Sequence, residues 1–188
     1  MKLSRIPGFA LVARVLPLLL AAALLMPAVG HTQQAARRGH STAARVQRLA
    51  DIEEIRNLLI DYGRDLDAHD LAAYSRLFAK DGEWVGGFGS AKGPAAIQAL
   101  MEKNLGVISR SKPGSTYHLL TNFRIDVHGD TATAWSRWNF VVTSAENHPS
   151  IMYGGHYDDT LVREDGAWKF QRRVAVNDIP QSAPAETK

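Results

Sequence analysis

The sequence predicts an α+β domain: a cone-shaped, curved antiparallel (mixed) sheet wrapped around N-terminal helices and enclosing a pocket. Two observations carry that prediction. Apolar residues recur at three- and four-residue steps as far as Met101, and beyond Pro113-Gly114 the period changes to two and holds to about residue 176. Helices followed by a run of strands pack as two layers around one core. The length, 188 residues without a cysteine, suits one ordinary domain that buries its core without disulfides.

Each element has its own signal. Ile52, Ile55, Leu58, Leu59, Tyr62 and Leu66 share one arc of a helical wheel, which makes an amphipathic first helix with a single buried face. Asp70 is placed to cap a second helix carrying Leu71, Tyr74, Leu77 and Phe78 on one side and stopped by Gly82. Residues 82–86 read as a short strand. Gly93-Pro94 opens a third helix, with Ile97, Leu100 and Met101 inward. Strands are then expected over residues 116–127, 131–143, 151–163 and 167–176, rich in Thr, Val, Tyr, Trp and Phe. His128-Gly129-Asp130 and Glu164-Asp165-Gly166 are the turns of two antiparallel hairpins.

The charge is unevenly placed. Of 22 basic side chains against 19 acidic ones, Lys2, Arg5, Arg14, Arg37, Arg38 and Arg45 all precede Val46, where no acid occurs. The body beyond is slightly acidic, which removes the dense basic surface that nucleic-acid binding needs. Residues 1–30 read as a signal peptide, with a positive start, an apolar run from Val15 to Val29 and small residues at Ala28-Val29-Gly30. The run is shorter than a bilayer span and is broken by Pro17 and Pro27. The chain is thus expected to be exported, periplasmic or secreted, touching a membrane only through this segment. Residues 31–44 are expected to form a flexible linker, 45–178 the domain and 179–188 a disordered tail.

The segments LADIEEIRNLLIDYGRDLD (49–67), KGP (92–94), YHLLTNFRID (117–126) and GGHYDDTLVREDGAWKF (154–170) resemble the SnoaL-like branch of the nuclear-transport-factor-two-like superfamily. Its eliminating members include bile-acid dehydratases, scytalone dehydratase and hexachlorocyclohexane dehydrochlorinase. The resemblance implies an Asp–His pair in the cone, at Asp67 and His118, and a tyrosine at Tyr62. It also implies a small hydrophobic, aromatic or polycyclic substrate and a homodimer or higher oligomer.

Read on their own, these residues leave alternatives open. Tyr62 sits mid-arc, so its ring is buried, either as core with a satisfied hydroxyl or as part of a pocket. Asp67 lies beyond that arc, beside Gly63, where it can hold an imidazole or simply be solvated. Strict alternation along 117–127 puts His118 among the polar positions; a concave start to the strand, or a bulge that flips the register, would bring it to the cavity. Trp138, Tyr157 and Asn139 are further candidates for a substrate pocket. Trp168 and Phe170 suit the core, and Arg172 or Arg173 could offer a cation to a substrate oxygen. The remaining histidines show no metal spacing, and neither metal nor cofactor is expected.

The function expected is a cofactor-independent lyase or isomerase that abstracts a proton with His118, whose residue type ordinarily titrates near pH 6.5. Asp67 would orient the ring, and Tyr62 would donate to a substrate oxygen. The competing expectation is a secreted module with the same cone and no chemistry, binding a small ligand or dimerising, with an outward Trp135 or Trp138 as its apolar patch.

Overall fold

The computed structural model describes residues 28–108 and 116–180. The expected signal segment before residue 28, the turn at Pro113-Gly114 and the tail beyond residue 180 lie outside these. Contacts divide the chain into two units, residues 1–46 and 47–188. In the first, the described residues form the opening of helix α1 (Ala28–Asp67). The stretch 31–44, expected as a flexible linker, is helical in the structure. It is rich in Ala, Gln and Arg, which are good helix formers, and its described side chains from Ser41 are exposed.

The second unit holds everything else. It comprises the rest of α1, α2 (Leu71–Ser75), β1 (Phe78–Gly86), β2 (Gly89–Lys92), α3 (Pro94–Ile108), β3 (Thr116–His128), β4 (Thr131–Thr143), β5 (Pro149–Glu164) and β6 (Ala167–Ile179). The strands form one six-stranded mixed sheet in the order β2-β1-β6-β5-β4-β3. Only the β1–β6 pairing is parallel. Both expected hairpin turns are present. Asp165 and Gly166 take φ of 52° and 83°, the left-handed pair that a two-residue turn between twisted strands demands.

Two elements differ from expectation. Asp70 does cap α2, accepting from the Ala73 N–H at 2.8 Å, but the helix ends at Ser75. Leu77 and Phe78 keep helical spacing with Tyr74, yet Phe78 pairs with Phe170 of β6, and the Phe170 N–H donates to the Leu77 carbonyl. Sheet pairing outweighs local propensity there. Gly82 lies inside β1 at a register shift, where a Cβ would strike the Phe170 carbonyl. Strand β2 carries no apolar alternation and gave no signal of its own.

The core joins the α1 face to the inner sheet face. Ile55, Leu59 and Tyr62 pack with Tyr74, Phe78, Trp84, Ile97, Met101, Leu161, Trp168 and Phe170. Val46 and Leu49, outside the helical arc, are exposed. The polar side of α1 is tied down as well. Arg163 pairs with Asp51 and stacks over Trp168, while Glu54 accepts from the Trp168 N–H at 3.0 Å. Arg48 donates to the Val127 carbonyl at 2.9 Å.

A bulge in β3 decides which side chains reach the interior. Thr121 pairs with Arg137 and Arg124 with Trp135, so Asn122 and Phe123 together face Ser136 alone. Asn122 absorbs the extra residue at φ 56°, a left-handed conformation that asparagine tolerates better than most. Before the bulge, His118 and Leu120 turn inward and Tyr117 and Leu119 outward; after it, Phe123, Ile125 and Val127 turn inward.

Candidate active site

Asp67 is the last residue of α1, and His118 lies near the start of β3. The helix ends in a Schellman motif. The Asp70 N–H reaches the Asp65 carbonyl at 2.9 Å and the His69 N–H reaches Leu66 at 3.1 Å, with His69 left-handed at φ 57°. Strand β3 is at the sheet edge, so alternate N–H groups lack a strand partner. Asp67 takes one of them: its Oδ2 accepts from the His118 backbone N–H at 2.9 Å, and its Oδ1 lies 2.6 Å from His118 Nδ1. Gly63, one turn earlier on α1, makes room for this approach, since a Cβ there would meet Leu120 Cδ1 at 2.8 Å.

A carboxylate that only accepts favours the tautomer with the ring proton on Nδ1, and in that tautomer Nε2 carries the lone pair. The His118 ring is flanked by Phe140, with centroids 5.0 Å apart, and by Trp138 at 6.4 Å. Both dyad side chains are half-buried.

These groups share a cavity of about 350 Å³, within the range of small-molecule sites. Tyr62, Trp138 and Tyr157 line it with Asp67 and His118, and so do Leu66, His69, Trp84, Phe88, Leu105, Phe140, Tyr153, Ala175 and Asn177. The Tyr62 hydroxyl accepts from the Trp84 indole N–H at 3.0 Å, leaving its own proton to donate. Burial pushes the Tyr157 phenol well above the usual tyrosine value, so it remains protonated at neutral pH.

Asn139 is a correction. It has the opposite parity to Trp138 on β4 and lies on the outer sheet face, its Oδ1 beside Gly154, and it does not line the cavity. Trp138 is inward and buried, so of the two tryptophans considered for an outer patch only Trp135 faces out. It stacks on His156, which is itself held by Asp178 at 2.9 Å. Neither arginine of β6 offers a cation to the cavity. Arg172 pairs with Glu83 at the surface. Arg173 is fully buried in a two-pronged ion pair with Asp159, both bonds 2.7 Å, and lies 3.9 Å from the Tyr62 ring centroid and 4.1 Å from those of Tyr157 and Phe170. Burial alone would lower its pKa; the Asp159 carboxylate outweighs that and raises it, so the guanidinium stays charged. Among the described residues, no group of three or more His, Cys, Asp or Glu is arranged to hold a metal ion.

Sequence reasoning missed Trp84 and Phe88. They stack at 6.0 Å on the β1–β2 hairpin, whose tip is Gly87-Phe88. The available signal was an aromatic residue set among Gly86, Gly87 and Gly89, a composition that favours a tight turn.

Residues 47–174 match the family model described as the SnoaL-like domain. The chain belongs to the SnoaL-like family. An uncharacterized protein of Mycobacterium tuberculosis is 30% identical to this SnoaL-like chain over 138 residues, 69% of the chain and 86% of the relative. Among solved structures, an NTF2-like protein with a cystatin-like fold from Novosphingobium aromaticivorans is 30% identical. It covers 75% of this chain and 90% of its own, with a TM-score of 0.66. A hexachlorocyclohexane dehydrochlorinase, LinA-type3, from Novosphingobium barchaimii is 25% identical over 71% of this chain and 90% of its own, with a TM-score of 0.59. The SnoaL-like fold thus includes enzymes of elimination chemistry.

Proposed function

We propose that this SnoaL-like protein is a lyase or isomerase that removes a proton from a small, mostly apolar organic molecule with its own side chains and no cofactor. The observation that carries the reading is the double engagement of Asp67 with the backbone N–H and Nδ1 of His118. It fixes the tautomer and turns a basic Nε2 toward substrate. As Nε2 takes the proton, the ring becomes an imidazolium, and the Asp67 carboxylate stabilises that charge. Tyr62 donates to the substrate oxygen on which negative charge grows; Trp84 holds the phenol in place and enriches its hydrogen-bond chain. The aromatic and aliphatic walls lower the local dielectric, which raises the worth of each of these interactions. A dehydrochlorinase of the same fold supports elimination as the reaction class.

The test is solvent-deuterium exchange into aryl ketones bearing an acidic α-hydrogen. Wild type is expected to exchange; His118→Ala is expected to lose the activity, and Asp67→Asn to lose about 10²–10⁴-fold while remaining folded by circular dichroism. Equal exchange by wild type and His118→Ala removes His118 as the base. The reading includes an exported protein, on the strength of the basic start and apolar run of residues 1–30. Fractionation that finds the intact, unprocessed chain in the cytoplasm counts against that part.

A further inference from the structure

The cavity wall carries a second imidazole. His69 occupies the left-handed position that closes the Schellman motif of α1, at φ 57°. Glycine is the common residue there, because a side chain is sterically disfavoured. This chain instead spends that position on a histidine, two residues from Asp67, and its side chain lines the same cavity as His118. Side chains held in sparsely populated conformations cluster at functional sites.

The other polar wall groups are engaged or poor proton carriers. Asp67 and His118 hold one another, and the Tyr62 hydroxyl, accepting from Trp84, has its proton committed to the oxygen on which charge grows. Tyr157 is a weak acid because burial raises its pKa. Asn177 and Thr116 do not give up protons near neutrality, and the phenol of Tyr153, which also lines the wall, is by residue type a far weaker acid than an imidazolium. The His69 ring makes no hydrogen bond or ion pair with another described residue, so it is the one imidazole of the cavity not already committed.

We propose that His69 is the catalytic acid that protonates the leaving group, which makes the reaction an elimination and the substrate class a β-hydroxy carbonyl compound. This rests on His118 being the base. His118 Nε2 takes the proton from the carbon next to the carbonyl, and the electron pair of that C–H bond forms the new C=C bond. The C–O bond at the β-carbon breaks with its pair going to oxygen. The N–H of a protonated His69 delivers its proton to that oxygen, releasing water. His118 ends protonated and His69 neutral; one proton lost to solvent and one gained from it reset the pair. Hydroxide is a poor leaving group and needs this proton, whereas chloride departs without one, so the two leaving groups separate an acid from a bystander.

The experiment compares β-hydroxyindanone with β-chloroindanone, above the uncatalysed background, for wild type, His69→Asn and His69→Gly. Both replacements suit a left-handed position, so thermal unfolding at or above the wild-type temperature is expected, and a loss of activity is then not a loss of fold. Elimination from the hydroxy ketone is expected to fall about 10²–10³-fold in both variants, that from the chloro ketone less than about threefold, and α-hydrogen exchange into the hydroxy ketone to persist. Equal effects on the two leaving groups, or none, overturn the assignment of His69 while His118 stands as the base. Absence of both exchange and elimination in wild type overturns the base itself, and this inference with it.

Discussion

A carboxylate at a helix C-terminus faces the negative end of the helix dipole, which disfavours it by some tenths of a kcal/mol. Asp67 sits there because two N–H groups of His118 more than offset that cost, and charge-assisted bonds of this kind are worth roughly twice neutral ones. Tyr62 and Trp84 form the other defining pair. Removing the Tyr62 hydroxyl strands a buried indole N–H, and such groups cost about 1–3 kcal/mol to leave unmade. Tyr62→Phe and Trp84→Phe are therefore expected to be strongly non-additive. In a double-mutant cycle by urea unfolding, the double variant should be less destabilised than the two singles together by at least about 0.5 kcal/mol. Additive losses would mean that the 3.0 Å contact contributes nothing. At this scale the family resemblance pointed to Asp67, His118 and Tyr62, and strand position to Trp138 and Tyr157, all of which line the cavity. The inward turn of His118 was not legible in the sequence, because it depends on the strand's register and not on its composition.

Strand β3 illustrates how an element carries information that its residues lack. Read by alternation alone, Leu119 belongs inside and His118 outside; the structure reverses both, and the reversal resides in Asn122. Asn122→Val is expected to destabilise by about 1–2 kcal/mol, since a β-branched residue resists φ 56°. Asn122→Gly should be neutral or slightly stabilising. Thermal melts of the two variants decide: equal melting temperatures would show that the left-handed backbone is not what holds the bulge. The same logic explains why α2 ends early and β2 was invisible. Phe78 obeys its cross-strand partner Phe170 over its helical spacing, and Gly89-Ser90-Ala91-Lys92 pairs along the outer edge of β1 with only Ala91 packed against the core. Helices α1 and α3 and strands β3 to β6 were legible because a one-sided core imposes its period on their sequences. Gly155 marks a stricter constraint: a Cβ there would drive into the Val176 carbonyl, just beneath Trp138.

For the molecule as a whole, the described interior is built around aromatic rings and the buried Arg173–Asp159 ion pair. Its response to alkali follows. Tyr74 and Tyr157 have pKa values raised well above 10.0, burial being the main cause, whereas in the unfolded chain they titrate near the ordinary value. A group whose folded pKa is raised favours the fold fully below its unfolded pKa. That advantage is lost as pH climbs from the unfolded pKa toward the folded one, because only the unfolded chain gives up its protons. Each such tyrosine removes about 1.4 kcal/mol per pH unit, so the pair removes about 2.7 kcal/mol per unit above pH 10. Urea melts between pH 8 and about 11.5 should show this slope. The Tyr74→Phe/Tyr157→Phe double variant should be flatter, and an identical slope there would place the alkaline sensitivity elsewhere.

The Asn122 bulge has a consequence for reading other sequences. His118 and Val127 both face inward although an odd number of steps separates them along one strand, which a regular strand forbids. Counting steps from the dyad histidine to the last core residue before the hairpin turn is thus a parity check. In a related chain, an odd count requires a bulge if the histidine is to meet its aspartate, and an even count requires that there be none. Loss of a single residue in this stretch would keep the histidine inward only if the bulge went with it. A chain that kept the bulge with an even count would leave every catalytic side chain in the alignment and still turn the histidine to solvent, silencing the site without mutating it.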